Sequence, residues 1–271
     1  MFYNYIDNRK EYNIYLNKKR GDKMKRKGKR ISRISAIHFG KLIFRSLLLI
    51  AAIVLYILIR NDLYPTLNRQ PVLLTVLWII FFVEMILRFF PSSLESMGCQ
   101  KQFARNYRPK GDNIKPENLS PQKTALVAVL WIALNAIFGV LYYTSLIDEG
   151  ILVLICLFFA VCDMICILYF CPFQTWIMKN RCCTTCRIYN WDYAMMFTPL
   201  VFLNNPYSIS IIICATALLI RWELAYHIHP ERFSEKTNMC MSCSECKEKL
   251  CSHKTQLQGF IKRINMSKLR K

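Results

Sequence analysis

Apolar residues are collected in long blocks along this chain, and charged residues stand between the blocks. A helix rises about 1.5 Å per residue, so roughly 20 apolar residues cross the roughly 30 Å hydrocarbon core of a membrane. The blocks predict six spans, at residues 42–59, 71–90, 124–147, 151–171, 188–203 and 207–226. We therefore expect an all-α, multi-pass integral membrane protein.

The last two spans are separated by a short polar turn. Asn204, Asn205 and Pro206 interrupt the apolar residues, and the residue before a proline avoids helical backbone angles. This triplet predicts a helical hairpin, in which Pro199 kinks the fifth span. A re-entrant loop followed by one span is the alternative, and it gives five crossings.

The basic residues are distributed unequally between the predicted loops. Thirteen of the 37 Lys and Arg precede residue 42, six lie in 91–123, three in 172–187 and ten follow residue 226. The predicted outer loops contain only Arg60 and Arg69. The positive-inside rule then places both termini in the cytoplasm, with the spans in the cell membrane. An even number of crossings is required, which favours six.

The apolar and basic patterns divide the chain into three parts. Residues 1–41 form a basic cytosolic segment, 42–226 the transmembrane region, and 227–271 a basic, Cys-rich cytosolic tail. The first span lacks an A-x-A-like cleavage site, so it is interpreted as a retained signal-anchor. Met24 opens a compact basic lead, and the sequence does not decide whether Met1 or Met24 is the natural start.

The net charge of +20 does not by itself indicate a nucleic-acid partner. No nucleic-acid-binding motif accompanies it, and anionic lipid of the inner leaflet attracts each basic residue near the surface by about 1 kcal/mol. In the tail, Leu257, Phe260, Ile261 and Ile264 share one helical face among basic residues. This pattern predicts a helix that binds membrane lipids, or one that docks on the protein's own loops. A cytosolic protein is the other expected partner.

Two C-x-x-C pairs lie in segments that the orientation places in the cytoplasm. Cys183 and Cys186 precede the fifth span, and Cys243 and Cys246 follow the sixth. In a reducing compartment such pairs indicate metal ligands more than disulfides. Four thiolates suit tetrahedral zinc, and the intervening hairpin returns the chain to the same membrane face. We therefore predict a small zinc-ribbon-like element.

The chain contains more candidate ligands than one ion needs. The alternates are Cys182, Cys240, Cys251 and His253. The tail alone offers Cys243, Cys246, Cys251 and His253 as a complete set. The run from Cys240 through Cys251 also resembles a ferredoxin-type iron–sulfur motif, although its last spacing is one residue longer. An iron–sulfur cluster and free or redox-active thiols therefore stay as alternatives to zinc.

Ionisable residues inside the predicted spans indicate a function by default, because they are costly in a bilayer. These intramembrane polar residues are Glu84, Arg88, Asp163, Arg221, Glu223 and His227. Glu84 and Arg88 are four residues apart, which predicts an ion pair along one helix. Asp163 has no partner in its own helix, and Arg88 or Arg221 is expected to supply one.

Two further groups stand near the cytosolic ends of the last spans. Glu223 and His227 share a helix face, beside His229, which suits a divalent cation or acid–base chemistry. Side chains that reach to the interface and satisfy loop backbone are the favoured interpretation. Asp192 is expected in the first turn of the fifth span, behind an Asn190 cap.

No nucleotide-binding or hydrolase motif occurs in the chain. The favoured hypothesis is therefore a non-enzymatic membrane protein, in which zinc pins the connector to the tail and a basic face meets lipid or a partner. A membrane redox protein with an iron–sulfur cluster is one alternative. The other is a metal or ion translocator that uses Asp163 with Cys162 and Cys166.

Overall fold

The computed structural model describes residues 33–59, 71–91, 97–111, 114–116, 121–180 and 183–242. From Ile34 onward these residues belong to one compact unit. In the described ranges the regular structure is helical, apart from one antiparallel bridge between Pro109 and Asn238.

Seven α-helices form the framework of the described chain. They are α1 Arg33–Ile59, α2 Pro71–Leu87, α3 Met97–Gln102, α4 Pro121–Tyr143, α5 Glu149–Leu168, α6 Asp192–Phe197 and α7 Pro206–Ile228. A π-helical turn, Phe173–Ile177, follows α5. The short 3-10 helices are Ala104–Asn106, Cys183–Thr185, Tyr189–Trp191, Thr198–Phe202, Pro230–Arg232 and Met239–Met241.

Four of these helices are long and apolar enough to cross a membrane. They are α1 (over Ala36–Leu58), α4, α5 and α7. Large apolar side chains on their outer faces are exposed, including Ile57, Val129 and Ile213. Such exposure is expected of helices that face lipid. The sequence prediction of an all-helical chain is confirmed for the described residues, and four of its predicted spans form helices long and apolar enough to cross a membrane.

The second and fifth predicted spans have a different form. Helix α2, Pro71–Leu87, has 17 residues and is therefore about 25 Å long at 1.5 Å per residue, shorter than the four spanning helices. The fifth is not one kinked helix, because the chain passes from Tyr189–Trp191 through α6 into Thr198–Phe202. The α-helix gives way to a 3-10 helix beside Pro199, which has no N–H to donate to the preceding turn.

The segment 189–203 packs inside the helical bundle, against α4, α5 and α7. Its buried side chains belong to the main core, and the largest contributions come from Tyr193, Met196, Phe197 and Leu200. The Phe197 ring meets the Phe81 ring of α2 edge-on, with centroids 5.4 Å apart. Irregular backbone is tolerated at membrane depth when protein rather than lipid surrounds it.

Side-chain caps define the starts of α5 and α7. The Asn205 side chain accepts a hydrogen bond from Tyr207 N at 2.9 Å, which confirms the predicted turn before the last span. The Asp148 side chain accepts from Ile151 N at 2.8 Å. Tyr56 Oη also donates to Asp148 at 3.0 Å. The C-terminal end of α1 is therefore fixed to the turn between α4 and α5.

Gly139 of α4 is a site where a side chain has no room. An added Cβ would lie 2.6 Å from Cζ of Phe202, whereas one at Gly40 of α1 would meet nothing within 4 Å. We expect Gly139→Ala to lower the free energy of unfolding by about 1–3 kcal/mol through overpacking. Gly40→Ala should raise it, by up to about 1 kcal/mol, through helix propensity. Thermal unfolding in detergent measures both, and an unchanged or higher midpoint for Gly139→Ala would contradict the packing.

Candidate functional site

Polar segments from three parts of the chain meet at one end of the bundle. We call this region the polar cap, and it comprises residues 97–111, 183–191 and 230–242. Helix α3 packs against both Cys183–Thr185 and Met239–Met241. Gln102 Nε2 donates to Thr184 O at 2.9 Å, and Asn190 Nδ2 donates to Gln102 Oε1 at 2.7 Å. The short helix α3 is therefore the element that joins the other two segments.

Asn238 is the most enclosed polar residue of the cap, with none of its surface exposed. Its amide donates to Lys101 O at 3.0 Å and to Arg232 O at 2.9 Å. Its Oδ1 accepts from Cys240 N at 3.1 Å, and Cys240 Sγ lies 3.2 Å from Asn106 O. These hydrogen bonds fix the beginning of the tail, up to Cys240, on the connector between α2 and α4.

The first predicted Cys arm lies in this cap. Its backbone forms the 3-10 turn Cys183–Thr185. Cys186 is 7% exposed and packs in a small apolar cluster with Val127, Met178 and Ile188. A thiolate in such surroundings is poorly solvated, so Cys186 would have to leave this cluster to bind an ion.

The remaining predicted metal ligands lie outside the described residues. They are Cys182, Cys243, Cys246, Cys251 and His253. Within the described ranges, no group of three or more His, Cys, Asp or Glu side chains is placed to hold a metal ion. The zinc site and its iron–sulfur alternative therefore stay predictions.

The most buried charge of the bundle is Arg45 in α1, whose side chain is 2% exposed. Its Nη2 lies 2.7 Å from a Glu84 oxygen of α2. Its Nη1 contacts both Asp163 at 3.1 Å and Ala160 O at 3.0 Å, in α5. Lys41 Nζ lies 3.2 Å from the second Glu84 oxygen. One guanidinium thus connects three helices.

The partners predicted for Glu84 and Asp163 from the sequence are wrong. Arg88 Nη1 lies 2.7 and 2.6 Å from the two oxygens of Asp192, whereas Glu84 pairs with Arg45 and Lys41. Asp163 is paired with Arg45 and not with Arg88 or Arg221. Spacing along one helix identifies neighbours in that helix only, while packing against other helices supplied the actual partners.

Glu223 and Asn190 also have partners other than those expected. The Glu223 carboxylate accepts from Arg187 Nη1 at 2.7 Å and from Trp191 Nε1 at 2.6 Å, so it binds side chains rather than loop backbone. The His227 ring instead packs against Tyr226. Asn190 donates to Gln102, and no side-chain hydrogen bond caps α6.

Sequence reasoning missed the role of Arg45, although a signal was present. His38, Lys41 and Arg45 recur at intervals of three and four residues, and Leu48 and Ala52 continue the same face. This face of α1 is turned toward the bundle. His38 is 4% exposed, and in the described part of the chain neither ring nitrogen has a hydrogen-bond partner.

A cavity of about 540 Å³ lies between α4, α5 and the segments that follow α5. Its lining is mostly apolar, with several exposed side chains among those around it: Phe158, Ile165, Phe170 and Trp176. The sulfur-bearing residues Cys162, Cys166, Cys171 and Cys186 also line it, beside Asp163. The candidate translocation residues therefore border a lateral cavity.

The architecture defines the class: a helical membrane protein with a polar cap at one end and buried ion pairs in the bundle. Comparison with protein-family models, curated proteins and solved structures finds no match. The functional argument therefore rests on the residues of this chain.

Removal of the Arg45 guanidinium should destabilise the protein strongly, because it leaves Glu84 and Asp163 as buried carboxylates. We expect Arg45→Met to lower the free energy of unfolding by about 3–5 kcal/mol. The double variant Arg45→Met, Asp163→Asn should recover most of this loss, since the remaining Glu84 carboxylate still pairs with Lys41. Denaturant titration in detergent measures both, and equal stability of Arg45→Met and wild type would contradict the network.

Proposed function

We propose that this chain is a membrane protein with about six crossings, whose polar cap lies in the cytoplasm, has a non-enzymatic role and is closed by a Cys-ligated zinc ion. The closed cap and the basic tail present a positive surface to anionic lipid of the inner leaflet, or to a cytosolic protein partner. In this proposal zinc has a structural role and no reaction is assigned to the cap.

The observation that carries this proposal is the packing of α3 against both Cys-bearing segments. The turn Cys183–Thr185 and the turn Met239–Met241 contact the same six-residue helix. Cys243 follows Cys240 by three residues. Because both turns pack on one short helix, the distance between the arms in sequence does not argue against a shared ion.

The sequence offers two ligand sets for this ion. The first joins Cys183 and Cys186 to Cys243 and Cys246, and it requires Cys186 to leave its apolar cluster. The second avoids that cost because it uses the tail alone, through Cys243, Cys246, Cys251 and His253. Both sets provide four ligands of the kind found in structural zinc sites.

The ion pair of Asp163 argues against the alternative of an ion translocator. Asp163 is paired with the Arg45 guanidinium at 3.1 Å, so its charge is already compensated. A cation that bound there would have to displace Arg45 and leave this guanidinium buried without its partner, which is costly. A structural role for Asp163 therefore accounts for its position.

The zinc proposal predicts the metal content of protein purified anaerobically without added metal. Wild type should contain about one zinc per chain, because one tetrahedral site needs four of the candidate ligands. Cys243→Ser with Cys246→Ser should lose the metal and lower the thermal midpoint. Cys162→Ser, which changes the lateral cavity, is the matched control and should keep both.

Elemental analysis and absorbance distinguish the outcomes of this experiment. Zinc retained at the wild-type level in the double variant would overturn the proposal. A brown preparation with iron and sulfide would instead establish the iron–sulfur alternative.

The orientation predicts which cysteines a membrane-impermeant maleimide reaches. On intact cells Cys243 and Cys246 should stay unlabelled, because the basic tail is held on the cytoplasmic side. They should become labelled after permeabilisation and chelation. Asn204→Cys, at an exposed turn predicted to lie outside, is the positive control and should react on intact cells. Labelling of the tail before permeabilisation would refute the orientation.

A further inference from the structure

The lateral cavity combines two adjacent thiols with aromatic side chains. We propose that Cys166 and Cys171 form a redox-active dithiol that reduces a lipid-soluble quinone bound in this cavity. The cavity borders the cap, because Cys186 lines it, but Cys166 and Cys171 are not among the proposed zinc ligands.

The two thiols are brought together by the way α5 ends. Tyr169 N and Phe170 N both donate to Ile165 O, at 2.8 and 3.0 Å, and this tight closure turns the chain back on the last turn of the helix. As a result, the Cys166 and Cys171 thiols are hydrogen-bonded to each other. Thiols in contact need only small movements to form a disulfide, because the sulfur atoms are already adjacent.

The backbone around Cys171 holds this arrangement in place. Gln174 N lies 3.4 Å from Cys171 Sγ and donates to it, and Thr175 N donates to Cys171 O at 3.0 Å. Gln174 is itself buried, and its Nε2 donates to Asn180 O at 3.0 Å. These hydrogen bonds fix Cys171 in position at the end of α5, where its thiol meets that of Cys166.

The size and lining of the cavity indicate the class of ligand. Its volume of about 540 Å³ is within the range of small-molecule sites. The rings of Trp131 and Phe159 lie 4.8 Å apart, and those of Phe170 and Trp176 lie 5.5 Å apart. Aromatic rings pack favourably against a further planar ring in offset-stacked or edge-on arrangements. Among lipid-soluble molecules, a quinone has this shape and also accepts electrons from thiols.

The route to the cavity also selects for an apolar ligand. The cavity lies beside α4 and α5, which are both long and apolar enough to cross a membrane. The lining side chains Phe158 and Ile165 are 54% and 40% exposed. A ligand that enters between such side chains comes from the hydrocarbon region rather than from water.

The proposed reaction balances in atoms and electrons. The two S–H bonds of Cys166 and Cys171 break and one S–S bond forms between them. The two electrons and two protons released convert both carbonyl groups of the quinone to hydroxyl groups, which gives the quinol. Quinones serve as terminal oxidants for disulfide formation in other membrane systems.

The test uses the full-length protein, reduced and freed of reductant in detergent without oxygen. The probe is a short-chain ubiquinone, whose ring is fully substituted and therefore does not add to thiols. After quenching with maleimide, chymotrypsin cuts after Leu168, Tyr169 or Phe170. The peptides that carry Cys166 and Cys171 should then stay joined in the quinone-treated sample and separate in the untreated one, with quinol formed in parallel.

Matched variants separate this site from the other cysteines. Cys166→Ser and Cys171→Ser should each abolish the joined peptide and reduce quinol formation, whereas Cys214→Ser in the core should preserve both. Leu134→Trp, which fills part of the cavity, should slow oxidation by the quinone at least about tenfold. It should leave oxidation by the water-soluble reagent diamide unchanged.

Two results would overturn the proposal. One is the absence of the joined peptide in wild type after quinone treatment, when diamide still forms it. The other is quinol formation at the wild-type rate in Cys166→Ser that keeps the wild-type thermal midpoint, because other thiols would then supply the electrons.

Discussion

The Arg45 guanidinium sets the arrangement of the helices on which the other sites depend. It joins α1 to α2 through Glu84 and to α5 through Asp163 and Ala160 O. A buried ion pair adds little net stability relative to apolar residues of the same size, because both charges lose their water. The pairing is important because a shift of α1 along or around its axis would separate Arg45 from Glu84 and Asp163 and leave these charges unpaired. Polar pairing therefore fixes which face of α1 meets its neighbours.

A second constraint is the irregular segment at the centre of the bundle. Residues 189–202 change from 3-10 to α and back to 3-10 helix, and lipid would penalise the backbone groups that such changes leave unpaired. The surrounding helices cover most of the segment, with Val201 as an exposed exception, and Thr198 Oγ1 donates to Ala194 O at 2.5 Å near the change. The same segment carries Asp192, so it also provides the partner of Arg88.

The sequence was sufficient for the long elements and insufficient for their pairing. The apolar runs predicted both ends of α4, α5 and α7, and the last residue of α1, to within a few residues. Local composition is sufficient for this, because a membrane span needs a continuous apolar stretch. The turn at Asn205 could be predicted for the same reason, because it depends only on adjacent residues. The partners of Glu84 and Asp163 depend on how separate helices pack, and spacing within one helix contains no such information. The contact between Cys166 and Cys171 was missed for a related reason: it arises where α5 stops, not from helical periodicity.

The position of Asn238 in the sequence determines when the polar cap can close during synthesis. Its side chain holds Lys101 O, in the connector after α2, yet it is encoded ten residues after the end of α7. Synthesis proceeds from the N-terminus, so the connector is complete long before its partner emerges from the ribosome. The polar cap therefore closes as a late step of biogenesis, and a chain truncated before residue 238 retains the helices but lacks the amide that locks their polar end.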